Sequence, residues 1–250
     1  MSTPLIQGAK ARRAKGIYLL PNLVTIGSMF AGFYAIIAGL HGHFEQAVIA
    51  IFVALVMDGL DGRIARWTHS ESDLGAQLDS LADMVSFGVA PAMVMYSWSV
   101  SVLGKPGWMM AFMYMVCTGL RLARFNSQAQ NENKRYFYGL NTPSAAALVA
   151  STIWTLTVNG VAGPRVAIPM AILLFVLGLL KVSVVRYRSF KDINLRRLRV
   201  SFLVILLVLL AFMLICLDPP EMLLAIVLTY VLSGPLAWLW HVMRHRRLPE

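Results

Sequence analysis

The chain has 250 residues, of which 58% are hydrophobic and only 14% charged. Soluble domains average about 45–50% apolar and about 25% charged residues, so the composition excludes an ordinary soluble domain and indicates a polytopic membrane protein. The net charge of +10 requires no nucleic-acid partner, because basic residues of membrane proteins gather on the cytoplasmic side and face anionic headgroups.

In chain order, residues 1–18 form a basic juxtamembrane segment with Lys10, Arg12, Arg13 and Lys15. It leads into a first apolar helix over 19–40 without a small-residue cleavage site, so no cleaved signal peptide is expected. Pro21 suits the first turn of that helix, and Asn22 and Thr25 share a face near its mouth. A second helix is predicted over 45–64. A third, over 74–100, follows the N-cap-rich cluster Ser70-Glu71-Ser72-Asp73. The fourth covers 107–125, and residues 127–140 are the most polar connection. Further helices are predicted over 143–158, 166–185, 200–217 and 221–242, with a basic tail at 243–250. The expected fold is therefore an all-α bundle of about eight transmembrane helices, in one domain spanning 19–242. Cys117 and Cys216 lie within apolar runs and read as small core residues, since neither they nor the histidines show zinc-ligand spacing.

Eight spans put 20 of the 22 lysines and arginines on one side and leave Lys105 and Arg165 on the other. The positive-inside rule then places both termini in the cytoplasm, together with the stretch Asp58 to Asp83. That stretch holds four carboxylates at the ends of two otherwise apolar helices. Three residues turn a helix by about 300° and four by about 400°, so Asp58 shares a face with Asp61, and Asp79 with Asp83. An aspartate at the centre of a membrane helix costs roughly 2.5–3.5 kcal/mol, and less near the end. Bound divalent cation compensates four such charges, and an all-oxygen set suits magnesium, manganese or calcium rather than zinc or copper. Two ions sharing these ligands could clamp a diphosphate. Asp73 reads as a cap or solvated first-turn acid. Gly59, Gly62, Ala65 and Gly75 allow close approach of either a ligand or a neighbouring helix. Arg63 and Arg66 suit phosphate oxygens or headgroup snorkelling. A cation transporter would also use intramembrane aspartates, but it leaves the glycine and arginine spacing unexplained.

The pattern D-x2-D-G-x2-A-R-x8-G-x3-D-x3-D, filled by Asp58, Asp61, Gly62, Ala65, Arg66, Gly75, Asp79 and Asp83, resembles the motif of the CDP-alcohol phosphatidyltransferases. The resemblance implies transfer of a phosphatidyl group from a CDP-linked lipid to an alcohol, with release of CMP. It implies that Asp58, Asp61 and Asp79 are metal ligands. Asp83 would serve both as a ligand of a second ion, Mg2+ or Mn2+, and as general base on the acceptor hydroxyl. Gly62, Ala65, Arg66 and Gly75 would line the CMP moiety, and Asn22 and Thr25 resemble the family's first-helix nucleotide contacts. A homodimer is likewise implied.

Residues 78–92 (LDSLADMVSFGVAPA), 121–126 (RLARFN), 137–146 (FYGLNTPSAA) and 182–192 (VSVVRYRSFKD) resemble blocks of the family's serine-accepting branch. That branch commonly has proline and alanine where this chain has Asn141 and Ser144. The implied substrates are CDP-diacylglycerol and L-serine; glycerol 3-phosphate or inositol are alternative acceptors within the same chemistry. Serine's carboxylate calls for a cation, and Arg121 and Arg124, followed by Asn126, are the candidates. The basic run from Lys181 to Arg199 reads as a solvated, headgroup-facing segment.

Overall fold

A computed structural model of the protein describes residues 4–68, 70, 72–128, 139–183, 213 and 217–245. All regular elements among them are helical: α1 (Pro4–Leu40), α2 (Phe44–Thr68), α3 (Asp73–Asp83), α4 (Ala90–Trp98), α5 (Lys105–Gln128), α6 (Thr142–Val158), α7 (Ala167–Val182) and α8 (Pro219–His245). Seven of the predicted helices coincide with these elements. The remaining one, over 200–217, lies outside the described residues apart from Met213 and Leu217. Cys216 and most of the 127–140 connection fall outside them too.

Two boundaries differ from expectation. α1 begins at Pro4 and carries Pro21 in its interior, not in its first turn. The alanines, lysines and arginines of residues 9–15 are strong helix formers, so the helix continues through the basic segment. The predicted third helix is divided by a π-helical turn over Met84–Val89, where the Ala90 N–H bonds Val85 O five residues back. Pro91 follows and lacks an N–H. The buried Tyr114 hydroxyl donates to Phe87 O at 3.2 Å, serving a carbonyl near the wide turn. The departure at Asn141 also has a local reason. Asn141 caps α6, its side chain accepting the Ser144 N–H at 3.2 Å, a bond typical of a helix N-terminus.

The core is built from small residues. Ala31, Ala35 and Ala38 of α1 meet Ala47, Val48, Ile51 and Ala54 of α2, and α6 is buried almost continuously from Ala145 to Ile153. Small side chains bring helix axes close and let dispersion hold a bundle in which lipid supplies no hydrophobic force. Cys117 is buried, as expected. Large apolar residues such as Leu23, Phe30, Phe33, Ile168 and Trp238 remain exposed on the outer faces.

Among the described residues, Leu20–Leu40, Asp73–Trp98, Gly163–Val182 and Pro219–Trp238 are long and apolar enough to cross a membrane. In α2 the apolar run is cut by Asp58 and Asp61, in α5 it stops at Arg121, and α6 is shorter at 17 residues. α1 packs along α2 and also against α3, and this arrangement positions the acids. At the far end, the turn Val100–Leu103 packs on the turn Gly163–Val166, and Ser99 Oγ donates to Gly163 O at 2.7 Å.

Candidate active site

The acids converge because α1 supports both helices that carry them. Asp61, near the C-terminus of α2, is 5% exposed. It accepts two hydrogen bonds, from Thr25 Oγ1 of α1 at 2.7 Å and from the Gly62 N–H at 2.6 Å. α3 starts where Ser72 accepts the Gly75 N–H at 3.1 Å, and Asp73 is a solvated first-turn acid, as its position suggested. Six residues on from Asp73, Asp79 faces α2. Ligand oxygens of Asp58, Asp61 and Asp79 all lie within 4.8 Å of one another. Asp83 stands beside this trio, next to Asp58, and its buried Oδ1 has no hydrogen-bond partner among the described residues.

Two full charges at such a separation repel by about 3 kcal/mol at an effective dielectric of about 20. Among the described residues the donors that converge are carboxylates alone, Asp58, Asp61 and Asp79 with Asp83 beside them, the chemistry of a hard divalent cation. An orphaned buried carboxylate oxygen at Asp83 fits the same purpose. The residues present therefore fit a divalent-cation site.

Next to the acids opens a cavity of about 410 Å³. Its wall comes from α1 (Asn22, Thr25), α2 (Asp61, Gly62, Ala65, Arg66), the connecting loop (Ser70, Ser72) and α3 (Gly75, Asp79). All six residues singled out as nucleotide contacts thus share one cavity with two of the acids. A Cβ on Gly62 would meet nothing within 4 Å, so helix packing does not explain that glycine. At Gly75 a Cβ would come within 3.3 Å of Asn22 Oδ1, so this glycine keeps α1 and α3 close. Arg66 donates from Nε to Gly62 O at 2.8 Å, which steadies the side chain along the cavity wall. Arg63 is exposed and does not line the cavity.

The three residues assigned to the acceptor separate. Arg121 is half-buried, within electrostatic reach of Asp83 and of Tyr230 on α8. Arg124 is exposed. Asn126 is also exposed and is tied to α3 through Ser80, its Nδ2 donating to Ser80 Oγ at 3.0 Å. The expectation that Lys181 belongs to a solvated basic run is overturned. Lys181 is 1% exposed, donates to Thr118 Oγ1 at 2.6 Å and sits 3.2 Å from the centre of the Tyr114 ring. It ends the apolar face of α7, which includes Leu174 and Leu177, and the sequence alone does not say whether it joins that face or the basic run. Tyr230, one aromatic in a long apolar helix, offered no signal.

Comparison with known proteins identifies the family. The CDP-alcohol phosphatidyltransferase family profile matches residues 18–182. A CDP-diacylglycerol–serine O-phosphatidyltransferase of Helicobacter pylori is 31% identical over 228 residues, covering 91% of this chain and 94% of that protein. Proteins of the same name from Methanocaldococcus jannaschii (32% over 179 residues, 70% of this chain and 80% of that one) and Bacillus subtilis (38% over 126 residues, 50% and 70%) are also similar. The chain belongs to the CDP-alcohol phosphatidyltransferase family of enzymes.

Proposed function

We propose that this enzyme transfers a phosphatidyl group from CDP-diacylglycerol to L-serine, giving phosphatidylserine and CMP with a divalent cation as cofactor. One observation carries the reading: Asn22, Thr25, Gly62, Ala65, Arg66 and Gly75 line a single cavity that also receives Asp61 and Asp79. The similar proteins named for serine as acceptor support the choice of alcohol.

In this reading the nucleotide occupies the cavity, with its diphosphate toward the acids and the acyl chains leaving sideways into lipid. Asp58, Asp61 and Asp79 would hold Mg2+ or Mn2+, and Asp83 would join them in holding a second ion. When bound, these cations act as Lewis acids that offset charge on the diphosphate and on departing CMP. Arg66, fixed by its bond to Gly62 O, turns its terminal N–H groups to phosphate oxygens. Asp83 takes the proton of the serine hydroxyl as general base. The serine oxygen bonds to the lipid-side phosphorus, the bridging P–O bond breaks, and CMP keeps the bridging oxygen. Arg121, within electrostatic reach of Asp83, would face the serine carboxylate, with Arg124 and Asn126 on the same side of the site. The working unit is a homodimer of the 19–242 transmembrane domain, with both termini and the site on the cytoplasmic side.

The test is CMP release by the purified protein in mixed micelles of CDP-diacylglycerol, offered serine, glycerol 3-phosphate, inositol or choline in turn. Release with serine alone, lost on chelation and restored by Mg2+ or Mn2+, is the expected result. A response to another alcohol and not to serine overturns the acceptor. Electrogenic cation flux without CMP release overturns the reaction class.

A further inference from the structure

The mechanism requires the α2 and α3 acids at a fixed separation, yet α2 and α3 reach each other chiefly through α1. Three cross-helix contacts run down one stripe of α1, at Thr25, Ser28 and Gly32, positions that share a face by helical spacing. Thr25 holds Asp61 directly. One turn below, Ser28 Oγ donates to Ala54 O of α2 at 3.0 Å, four residues before Asp58. From the other side, Ser86 Oγ donates to Ser28 O at 2.9 Å, three residues after Asp83. Ser28 is 2% and Ser86 0% exposed. At Gly32 a Cβ would lie 2.6 Å from Ser86 Cα, so only glycine lets α1 and the π turn touch.

These bonds are not the ordinary habit of hydroxyls in apolar helices, which is to bond a carbonyl three or four residues back in their own helix. Thr118, Thr152 and Thr229 do that here. Ser28 and Ser86 reach other segments instead, and Ser28 is shared by both bonds. The π turn presents Ser86 to that carbonyl.

We infer that Ser28, Gly32 and Ser86 form a brace through α1 that sets the gap between the α2 and α3 carboxylates, and that they are positioning residues for cation binding. The inference rests on the proposal that these acids hold a divalent cation. No brace residue touches the cation; each acts through the helix it fixes.

The experiment measures Mn2+ binding to the purified full-length protein by loss of the free-ion paramagnetic signal, alongside the thermal midpoint and CMP release. Ser28→Ala, Ser86→Ala and Gly32→Ala should each weaken Mn2+ binding by about tenfold, the low end of losses seen when groups supporting metal ligands are removed. Ser99→Ala is the control: it loses a buried cross-segment bond at the opposite end, so its midpoint should fall while Mn2+ affinity stays at wild type. If Gly32→Ala does not fold, the two serine variants carry the test. Lower midpoints with unchanged Mn2+ affinity in both serine variants would overturn the brace. A wild-type protein that binds no Mn2+ would overturn the cation proposal itself, and the brace with it.

Discussion

Asp83 and Gly62 are the residues at which the proposed chemistry is most easily told apart from folding. Asp83 keeps one buried carboxylate oxygen without a partner among the described residues, as the proposed role in holding a cation calls for. Replacing Asp83 by Asn preserves its shape and removes its basicity. Turnover should drop by about 10²–10⁴-fold, the usual worth of general-base catalysis, while binding of CDP measured calorimetrically stays within a few-fold. Near wild-type turnover would remove the general-base role. Gly62 makes the complementary case. Its missing Cβ faces open space, and alanine in a helix interior is favoured over glycine by about 1 kcal/mol. Gly62→Ala should therefore hold or raise the thermal midpoint while raising KM for CDP-diacylglycerol. A lower midpoint with unchanged KM would mean that the glycine serves the fold. Helical spacing paired Asp83 with Asp79 on one face, and the roles proposed for Asp83 and Gly62 came from the family motif that both residues fill. Lys181 was not legible in the sequence. It stands at the junction of an apolar helix and a basic run, and only packing decides which it joins.

At the scale of elements, the apolar runs disclosed the described helices, but not the π turn that divides the third one. That turn depends on partners remote in sequence: Gly32 and Ser28 beneath Ser86, and Tyr114 on Phe87 O. A local pattern cannot contain them. The α5–α7 interface is the other feature that pattern could not reveal. There Lys181 is buried, and among the described residues its contacts are the Thr118 hydroxyl and the Tyr114 ring. Burying an ammonium with so few partners costs free energy, and Thr118 retains its own bond to Tyr114 O at 3.0 Å whatever occupies position 181. Lys181→Met keeps the length of the side chain and removes the charge. The variant should be more stable by about 1–3 kcal/mol, the usual cost of a poorly satisfied buried polar group. Each kcal/mol corresponds to about 2–4 °C in a chain of this size class. A fall in the thermal midpoint would instead mean that the cation–π contact and hydrogen bond outweigh desolvation.

For the whole molecule, charge and architecture make one joint prediction. The turns containing Val100–Leu103 and Gly163–Val166 pack together, so Lys105 and Arg165, which adjoin or lie in them, share one end of the bundle. The acids and the exit of α5 at Arg121 and Arg124 lie toward the other. The proposed eight-span topology assigns the remaining 20 of 22 basic residues to that second end, the asymmetry expected of a cytoplasmic face. Labelling of single cysteines tests this in a background carrying Cys117→Ala and Cys216→Ala. With a membrane-impermeant maleimide on intact cells, Lys105→Cys and Arg165→Cys should react, whereas Lys10→Cys and Pro249→Cys should react only after the membrane is opened. Reaction of position 10 but not 249 in intact cells would require an odd number of spans and move the charge count with it. Reaction of both, with 105 and 165 protected, would invert the protein and place the acids and their substrate cavity outside the cell, away from the cytoplasmic serine that the proposed reaction consumes.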